Sequence, residues 1–227
     1  MAEVAVKEVK KKEALFSKRN KTIFADPLSD NNPITVQVLG ICSALAITAQ
    51  MLPAVVMSLS VIFVMCCSSV LFSLISRTVP KSIRIMVQLA VIALFVILVD
   101  LFLKAYLYDV SKQLSTFVGL IITNCIVMGR LEAFAGNPEN SAWSSFLDAL
   151  GNALGYAIIL IAIAFLRELF GAGSLFGYPV FNQVFALFGS EMTYEGNGLM
   201  LLPAGACVAV GVIIWIQRYW NGYAEAE

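Results

Sequence analysis

The chain has 227 residues, of which 59% are hydrophobic and 13% are charged, with 15 basic and 15 acidic side chains and no histidine. A soluble domain carries about 25% charged residues, so this composition excludes an ordinary water-soluble fold and indicates an integral membrane protein. The lack of histidine excludes imidazole-based haem, zinc or copper sites within this chain. We expect lipid, and no nucleic acid, among its partners.

Six apolar runs of roughly membrane-spanning length follow one another along the chain. They are Ile34 to Met51, Ala54 to Ile75, Ile83 to Leu103, Leu114 to Gly129, Phe146 to Leu166 and Leu199 to Ile216. A helix needs about 20 apolar residues to cross the hydrocarbon core, and the fourth run barely reaches that length. Because the runs are continuous rather than alternating, they are helices and not barrel strands. The sequence therefore predicts an all-α polytopic membrane protein with six transmembrane helices.

The six runs divide into two halves of three. We assign residues 1–33 to a basic N-terminal tail, 34–219 to the transmembrane domain and 220–227 to a C-terminal tail. Within the domain, the first repeat is 34–103 and the second is 114–216. Since three is an odd number, the second half enters the membrane from the opposite side, and the sequence predicts two inverted three-helix repeats.

The basic residues are distributed unevenly. Seven of the fifteen precede the first run, and if that tail is cytoplasmic, only Lys104, Lys112 and Arg167 face the outside. The positive-inside rule therefore places both termini in the cytoplasm. A solvated flexible arm is favoured for the tail over a specific lipid or partner site.

Two short runs, the first and the fourth, each carry one cysteine near the middle, Cys42 and Cys125. In membrane proteins with repeated, Gly-interrupted segments, the binding site often lies where these segments meet at mid-membrane. With straight helices, Cys42 lies roughly 12 Å from the cytoplasmic side. Cys125 lies roughly 14 Å from the same side. The two thiols are thus expected at similar depth, although these two runs are also the ones expected to be half-helices or re-entrant segments.

Two thiols are half of the usual four ligands of an iron–sulfur cluster or a structural zinc ion. A disulfide and ordinary buried cysteines are the alternatives that the residues leave open. Cys66, Cys67 and Cys207 lie in continuous apolar helix and are interpreted as small core residues. Small or polar residues around the two cysteines are expected to allow close helix approach and hydrogen bonds toward sulfur, with ordinary helix packing as the alternative for each: Gly40, Ser43, Gly119, Thr123, Asn124 and Gly129.

Charged residues also occur within or near the ends of the runs. Asp100 precedes Lys104 by one helical turn, and we expect the two to neutralise each other. Structural or snorkelling roles are favoured over sodium binding for Glu132, Asp148, Arg167 and Glu168. The segment Gly171 to Gly196 is too polar to span and is expected along the outer interface or against a partner subunit.

Several motifs resemble a known family. They are Asp30-Asn31-Asn32-Pro33, the segment from Val38 to Ala46, the segment from Leu103 to Asp109, the segment from Gly119 to Arg130, Glu132-Ala133-Phe134-Ala135, the segment from Phe165 to Leu169, and the segment from Asn197 to Leu202. These segments closely resemble the D-subunit family of bacterial sodium-translocating NADH:quinone oxidoreductases. The resemblance covers nearly all of the chain after about residue 30, and the basic tail is extended relative to the family pattern.

The resemblance implies a six-helix subunit of a six-subunit complex in the bacterial inner membrane. The resemblance further implies that this subunit pairs with an inverted paralogue, the E subunit, and that a 2Fe–2S cluster between them is held by two cysteines from each. The matching positions here are Cys42 and Cys125. The complex oxidises NADH, reduces ubiquinone and exports sodium, while NADH and flavins bind only in other subunits. This chain is then an electron relay.

Two alternatives remain at this point. The corresponding subunit of the related ferredoxin:NAD oxidoreductase complex shares the segment from Thr123 to Val127 and the same cluster. The segments 103–110 and 128–130 favour the quinone-reducing complex. A secondary transporter with a midplane site explains inverted halves but not the placed thiols.

Overall fold

The computed structural model describes residues 18–28, 32–76, 79–106, 119–137, 141–171, 173 and 198–221. In chain order the helices are α1 (Lys18–Ala25), α2 (Ile41–Ile47), α3 (Met51–Ile75), α4 (Arg84–Tyr106), α5 (Cys125–Arg130), α6 (Ala142–Gly171), α7 (Gly198–Leu201) and α8 (Pro203–Asn221). Short 3₁₀ turns cover Asp26–Leu28 and Lys81–Ile83, and a π-helical turn, Leu131–Ala135, continues α5. The described residues form helices and turns without a strand, which confirms the all-α class for them.

Three of these helices, α3, α4 and α6, are long and apolar enough to cross a membrane. They correspond to the second, third and fifth predicted spans, which are thereby confirmed in length and composition. Among the described residues no other helix reaches this length, so six continuous crossings are not observed. The six-span count and the inverted repeat stay predictions.

The core lies between α3 and α6. On α3 the buried side chains include Ala54, Met57, Val61, Val64 and Phe72, and on α6 they include Ala149, Ala153, Tyr156, Leu160 and Ile163. Lipid tails are as apolar as these side chains, so helices in a membrane associate through close packing and interhelical hydrogen bonds. One such bond runs from Ser69 Oγ to the carbonyl oxygen of Ser145 at 3.2 Å. The α3–α6 pair is therefore the scaffold on which the shorter elements are placed.

Helix α4 packs on the flank of α3 and leaves most of its own surface uncovered. Its Ile92 and Val96 are buried, whereas Met86 is 73% exposed and Phe102 is 64% exposed. Apolar exposure of this extent is expected of a surface in contact with lipid or with neighbouring subunits. The predicted Asp100–Lys104 pair forms on this helix, with 2.6 Å between Lys104 Nζ and Asp100 Oδ2.

The first predicted span, Ile34 to Met51, is not one straight helix. A turn over 33–37 precedes the seven-residue α2, and residues 48–50 separate α2 from α3. Seven residues rise about 10 Å, which is a third of the hydrocarbon thickness. The assumption of a straight helix is wrong here, and the half-helix expectation is correct.

The fourth predicted span, Leu114 to Gly129, is also broken. Residues 119–122 are helical, Thr123 and Asn124 interrupt the helix, and α5 begins at Cys125. Residues 114–118 lie outside the described residues. Both cysteine-bearing segments are therefore short helices whose first turn carries the thiol.

The sixth predicted span, Leu199 to Ile216, is divided at Leu202 into α7 and α8. Proline suits the first position of a helix because its missing N–H has no partner there, and Pro203 begins α8. The segment Gly171 to Gly196, expected along the interface, lies outside the described residues except for residues 171 and 173.

The described part of the N-terminal tail packs on α6. A Cβ atom on Gly151 would come within 2.8 Å of the carbonyl oxygen of Phe24, and one on Gly155 within 2.6 Å of that of Pro27. Glycine at these two positions thus permits direct backbone contact between the segments. The side chain of Asn32 donates a hydrogen bond to the Gly155 carbonyl at 3.3 Å. Residues 18–28 are consequently part of the fold rather than a solvated arm.

Candidate site at the cysteine-bearing half-helices

The start of α2 is a turn that needs unusual backbone conformations. Gly40 precedes the helix with φ +80°, a conformation that favours glycine because it has no Cβ. Two residues earlier, Val38 has φ +58°, which is costly for a β-branched side chain. Strain of this kind persists only where the surrounding structure enforces it, and it is concentrated at functional sites. The turn ends two residues before Cys42.

The start of α5 is stabilised by its own capping residue. The Oδ1 atom of Asn124 accepts a hydrogen bond from the Ile126 amide at 3.3 Å, as an asparagine at a helix N-cap commonly does. Cys125 is therefore the first residue of α5, and its side chain projects from the first turn. The break in this segment follows from the local sequence Thr123-Asn124-Cys125, because the Asn124 side chain caps the new helix.

The two half-helix starts meet. The Gly40 N–H donates a hydrogen bond to Cys125 Sγ at 2.9 Å, although the two residues are 85 positions apart. The expectation of hydrogen bonding toward sulfur is correct at this position. Both Cys42 and Cys125 are exposed on the surface of the chain. The backbone turn before Cys42 thus adjoins the thiol of Cys125, and each of the two thiols is exposed.

The donor chemistry of this site suits half of a four-thiolate centre. Among the described residues no group of three or more His, Cys, Asp or Glu side chains lies close enough together to hold a metal ion. Both thiols are exposed, and that of Cys125 accepts a backbone N–H bond, as cysteine ligands of iron–sulfur clusters do. A complete coordination shell requires further ligands from outside the described residues, and the exposure of both thiols leaves room for them.

The sequence is similar to those of known membrane proteins. The sequence profile of a family described as Rnf-Nqr subunit, membrane protein, matches residues 20–214. The chain belongs to the Rnf-Nqr subunit family.

Its relatives include proteins named as the D subunit of Na(+)-translocating NADH-quinone reductase. The protein from Haemophilus ducreyi is 52% identical over 201 residues, covering 88% of this chain and 94% of the relative. That from Serratia proteamaculans is 52% identical over 202 residues, with 89% and 94% covered. That from Shewanella woodyi is 48% identical over 202 residues, with 89% and 93% covered.

The remaining cysteines of this Rnf-Nqr chain lie apart from the site. Cys66 is buried in α3 as expected, and Cys67 beside it is partly buried. Cys207 is exposed on α8, so its interpretation as a core residue is wrong. The reason is that α8 presents a broad apolar face outward, including Val208 and Trp215.

Two acidic side chains of this Rnf-Nqr subunit, the buried Asp148 and the half-exposed Glu132, are paired within the chain. Asp148 on α6 accepts hydrogen bonds from the guanidinium of Arg130, and the side-chain amide of Asn152 adds a bond at 3.2 Å. Glu132, in the π-helical turn, accepts a 2.5 Å bond from Gln88 and lies 3.5 Å from Arg84. These contacts join α4, α5 and α6 and agree with the structural role expected for both acids.

Arg167 and Glu168 connect α6 with the ends of broken helices. Arg167 is only 1% exposed and donates to the carbonyl oxygens of Leu45, Met200, Leu201 and Leu202 and to Thr48 Oγ1. Glu168 accepts a 2.5 Å bond from the Met51 amide at the start of α3. Arg167 thereby satisfies carbonyl groups at helix ends, and Glu168 satisfies an amide group at a helix start, all of which lack partners within their own helices.

Sequence reasoning did not single out Tyr156, which contacts both half-helices. A tyrosine in the middle of an apolar helix is the available signal, because a buried hydroxyl needs a hydrogen-bonding partner. The identity of that partner depends on residues more than 30 positions away and cannot be found from local pattern.

Proposed function

We propose that this chain is the D subunit of a Na+-translocating NADH:ubiquinone oxidoreductase of the bacterial inner membrane. In this proposal Cys42 and Cys125 provide half of the ligands of a 2Fe–2S cluster, and the paralogous inverted E subunit provides the other half. The observation that carries the proposal is the meeting of two exposed cysteine-bearing turns, joined by the Gly40 N–H bond to Cys125 Sγ at 2.9 Å. Relatives about 50% identical are named as the D subunit of Na(+)-translocating NADH-quinone reductase.

The proposed task is electron relay. The hydrocarbon core is about 30 Å thick, so electron transfer across it benefits from an intermediate carrier near mid-depth. A bound 2Fe–2S cluster supplies a one-electron carrier of this kind. The chain's own residues hold and orient the thiolates: α2 presents Cys42, α5 presents Cys125, and the Gly40 N–H stabilises negative charge on sulfur.

The inverted repeat is supported by a correspondence between the halves. In each half a short cysteine-bearing helix, α2 or α5, precedes a long spanning helix, α3 or α6. In this proposal the two short helices, whose first turns meet at the Gly40 N–H bond to Cys125 Sγ, belong to oppositely oriented segments. The excess of basic residues before the first span favours both termini in the cytoplasm.

NADH oxidation and flavin chemistry belong to other subunits in this proposal. The described residues are helical and offer no strand–turn–helix unit for a dinucleotide. The chain therefore depends on partners for its electron donor and its electron acceptor.

Inverted membrane vesicles from cells that carry the other subunits but lack this chain test the proposed function. We expect NADH-driven, Na+-stimulated ubiquinone reduction to be absent from such vesicles and to return when the chain is supplied. Na+-stimulated reduction at the normal rate without the chain would contradict the proposal. Restoration of ferredoxin-dependent NAD reduction instead would place the chain in the related ferredoxin:NAD complex.

A further inference from the structure

Tyr156 lies between the two cysteine-bearing turns. It is completely buried on α6, although it carries a polar hydroxyl group in an apolar helix. Its ring packs against Gly40, where an added Cβ atom would come within 3.0 Å of the tyrosine Cε2 atom and 3.5 Å of Asn124 Oδ1. The ring thus fixes the closest approach of the turn before Cys42 to the residue before Cys125.

The hydroxyl group of Tyr156 completes a hydrogen-bond network shared by both turns. Ser43 Oγ donates its only proton to the Gly40 carbonyl at 2.8 Å, so the 2.7 Å contact between Tyr156 Oη and Ser43 Oγ has the tyrosine as donor. The Asn124 side-chain amide donates to the same Ser43 oxygen at 3.3 Å. The Ser43 hydroxyl thus donates its proton to Gly40 and accepts hydrogen bonds from Tyr156 and Asn124.

The members of this network adjoin both thiols in sequence. Ser43 follows Cys42 directly, and Asn124 precedes Cys125 directly. Gly40 is restrained at its carbonyl by Ser43 and at its Cα by the tyrosine ring, while its N–H is the donor to Cys125 Sγ. A shift of Gly40 by a few tenths of an ångström would weaken that N–H bond to sulfur, because hydrogen bonds depend steeply on geometry.

We infer that Tyr156 is a positioning residue that sets the redox properties of the centre at Cys42 and Cys125. The inference rests on the proposed function. The tyrosine acts through Gly40 and Ser43 by holding the N–H donor on Cys125 Sγ. Hydrogen bonds to sulfur stabilise the more negative, reduced state of an iron–sulfur centre and so raise its reduction potential. Loss of the tyrosine hydroxyl therefore makes the potential more negative.

The test is an EPR-monitored redox titration of the purified complex with Tyr156→Phe, Ser43→Ala and the double variant. We expect normal iron content and a more negative midpoint potential in both single variants. The double variant is expected to shift no further than the larger single shift, since the two hydroxyls act as one unit. Ser58→Ala is the matched control, because it also removes a buried hydroxyl but one that bonds only within α3; its potential stays at the wild-type value.

The wild-type potential and EPR spectrum in both Tyr156→Phe and Ser43→Ala would overturn the inference. Ser43→Ala decides the matter if Tyr156→Phe does not assemble. A second readout does not need iron: the yield of a short bis-maleimide bridge between Cys42 and Cys125 in the iron-free complex, measured by mass spectrometry. We expect Tyr156→Phe to lower this yield and Ser58→Ala to leave it unchanged. If the wild-type complex contains no cluster, the proposed function fails. Equal bridging yields in the wild type and in Tyr156→Phe would then overturn the positioning role of Tyr156 as well.

Discussion

Replacing Cys42 or Cys125 by serine is expected to abolish most ubiquinone reduction by the complex while NADH oxidation by an artificial acceptor continues. The hydroxyl of serine is a poor iron ligand, and both thiols are exposed at the two turns that the Gly40 N–H bond to Cys125 Sγ joins. Loss of groups that merely surround a metal typically costs about 10- to 100-fold in activity, so loss of a ligand should exceed roughly 100-fold. Steady-state rates with ubiquinone and with the artificial acceptor, measured on the same preparation, check this result.

Cys207→Ser is the matched control for these variants, because Cys207 is also exposed but lies on α8. It should retain wild-type rates with both acceptors. Normal ubiquinone reduction by Cys42→Ser or Cys125→Ser would mean that these thiols are not needed for electron transfer. A large loss of ubiquinone reduction in Cys207→Ser would mean that a different thiol is needed.

Arg167→Ala is expected to cause the largest loss of stability among single substitutions in this chain. The guanidinium is 1% exposed and donates to five oxygens at the ends of α2 and α7, the shortest contact being 2.6 Å to Thr48 Oγ1. Alanine leaves these acceptors buried without donors, which costs on the order of 3–5 kcal/mol in total. Thermal denaturation of the detergent-solubilised complex, followed by size-exclusion chromatography, should show a substantially lower midpoint.

Lys104→Ala provides the comparison for Arg167→Ala. The Lys104 side chain is 52% exposed and pairs with Asp100 at 2.6 Å, and an exposed pair of this kind contributes about 0–1 kcal/mol. Its denaturation midpoint should stay close to that of the wild type. Equal midpoints in Arg167→Ala and Lys104→Ala would show that the arginine does not hold the helix ends together.

The long helices were predictable from sequence because their signal is local. A run of apolar residues without charges specifies a spanning helix whatever its neighbours are, and α3, α4 and α6 coincide with such runs within a few residues. Exact ends depend on capping contacts. Glu168, for example, accepts from the first amide of α3 across a separation of 117 positions.

The breaks in the half-helices were predictable only in part. Gly40 and the Thr123–Asn124 pair mark the interruptions in sequence, and Asn124 caps α5 through its own side chain. The positive φ of Val38 has no local signal, since valine disfavours it, and it reflects constraints from the surrounding fold. The depth estimate assumed straight spanning helices, which α2 and α5 are not, so the depth of the two thiols in the membrane stays a prediction.

The candidate site was predictable in its thiols and not in its supports. Two cysteines in corresponding short segments identify Cys42 and Cys125, and Gly40 beside them was expected to serve close approach. Tyr156 and Arg167 act through partners more than 30 positions away, and such pairings arise only when α6 packs against the half-helices. Long-range contacts of this kind leave no periodic pattern in the sequence.

The thiols of Cys42 and Cys125 are proposed to form half of an iron–sulfur site that a partner subunit completes. Iron and acid-labile sulfide should be measured in this chain purified alone and in the chain copurified with its inverted paralogue. We predict one 2Fe–2S cluster per pair, with its EPR signal lost in Cys42→Ser and Cys125→Ser, and no stable cluster in the chain alone, because two thiolates leave half of the coordination shell empty. A stoichiometric cluster in the isolated chain, or an iron-free pair, would contradict the account.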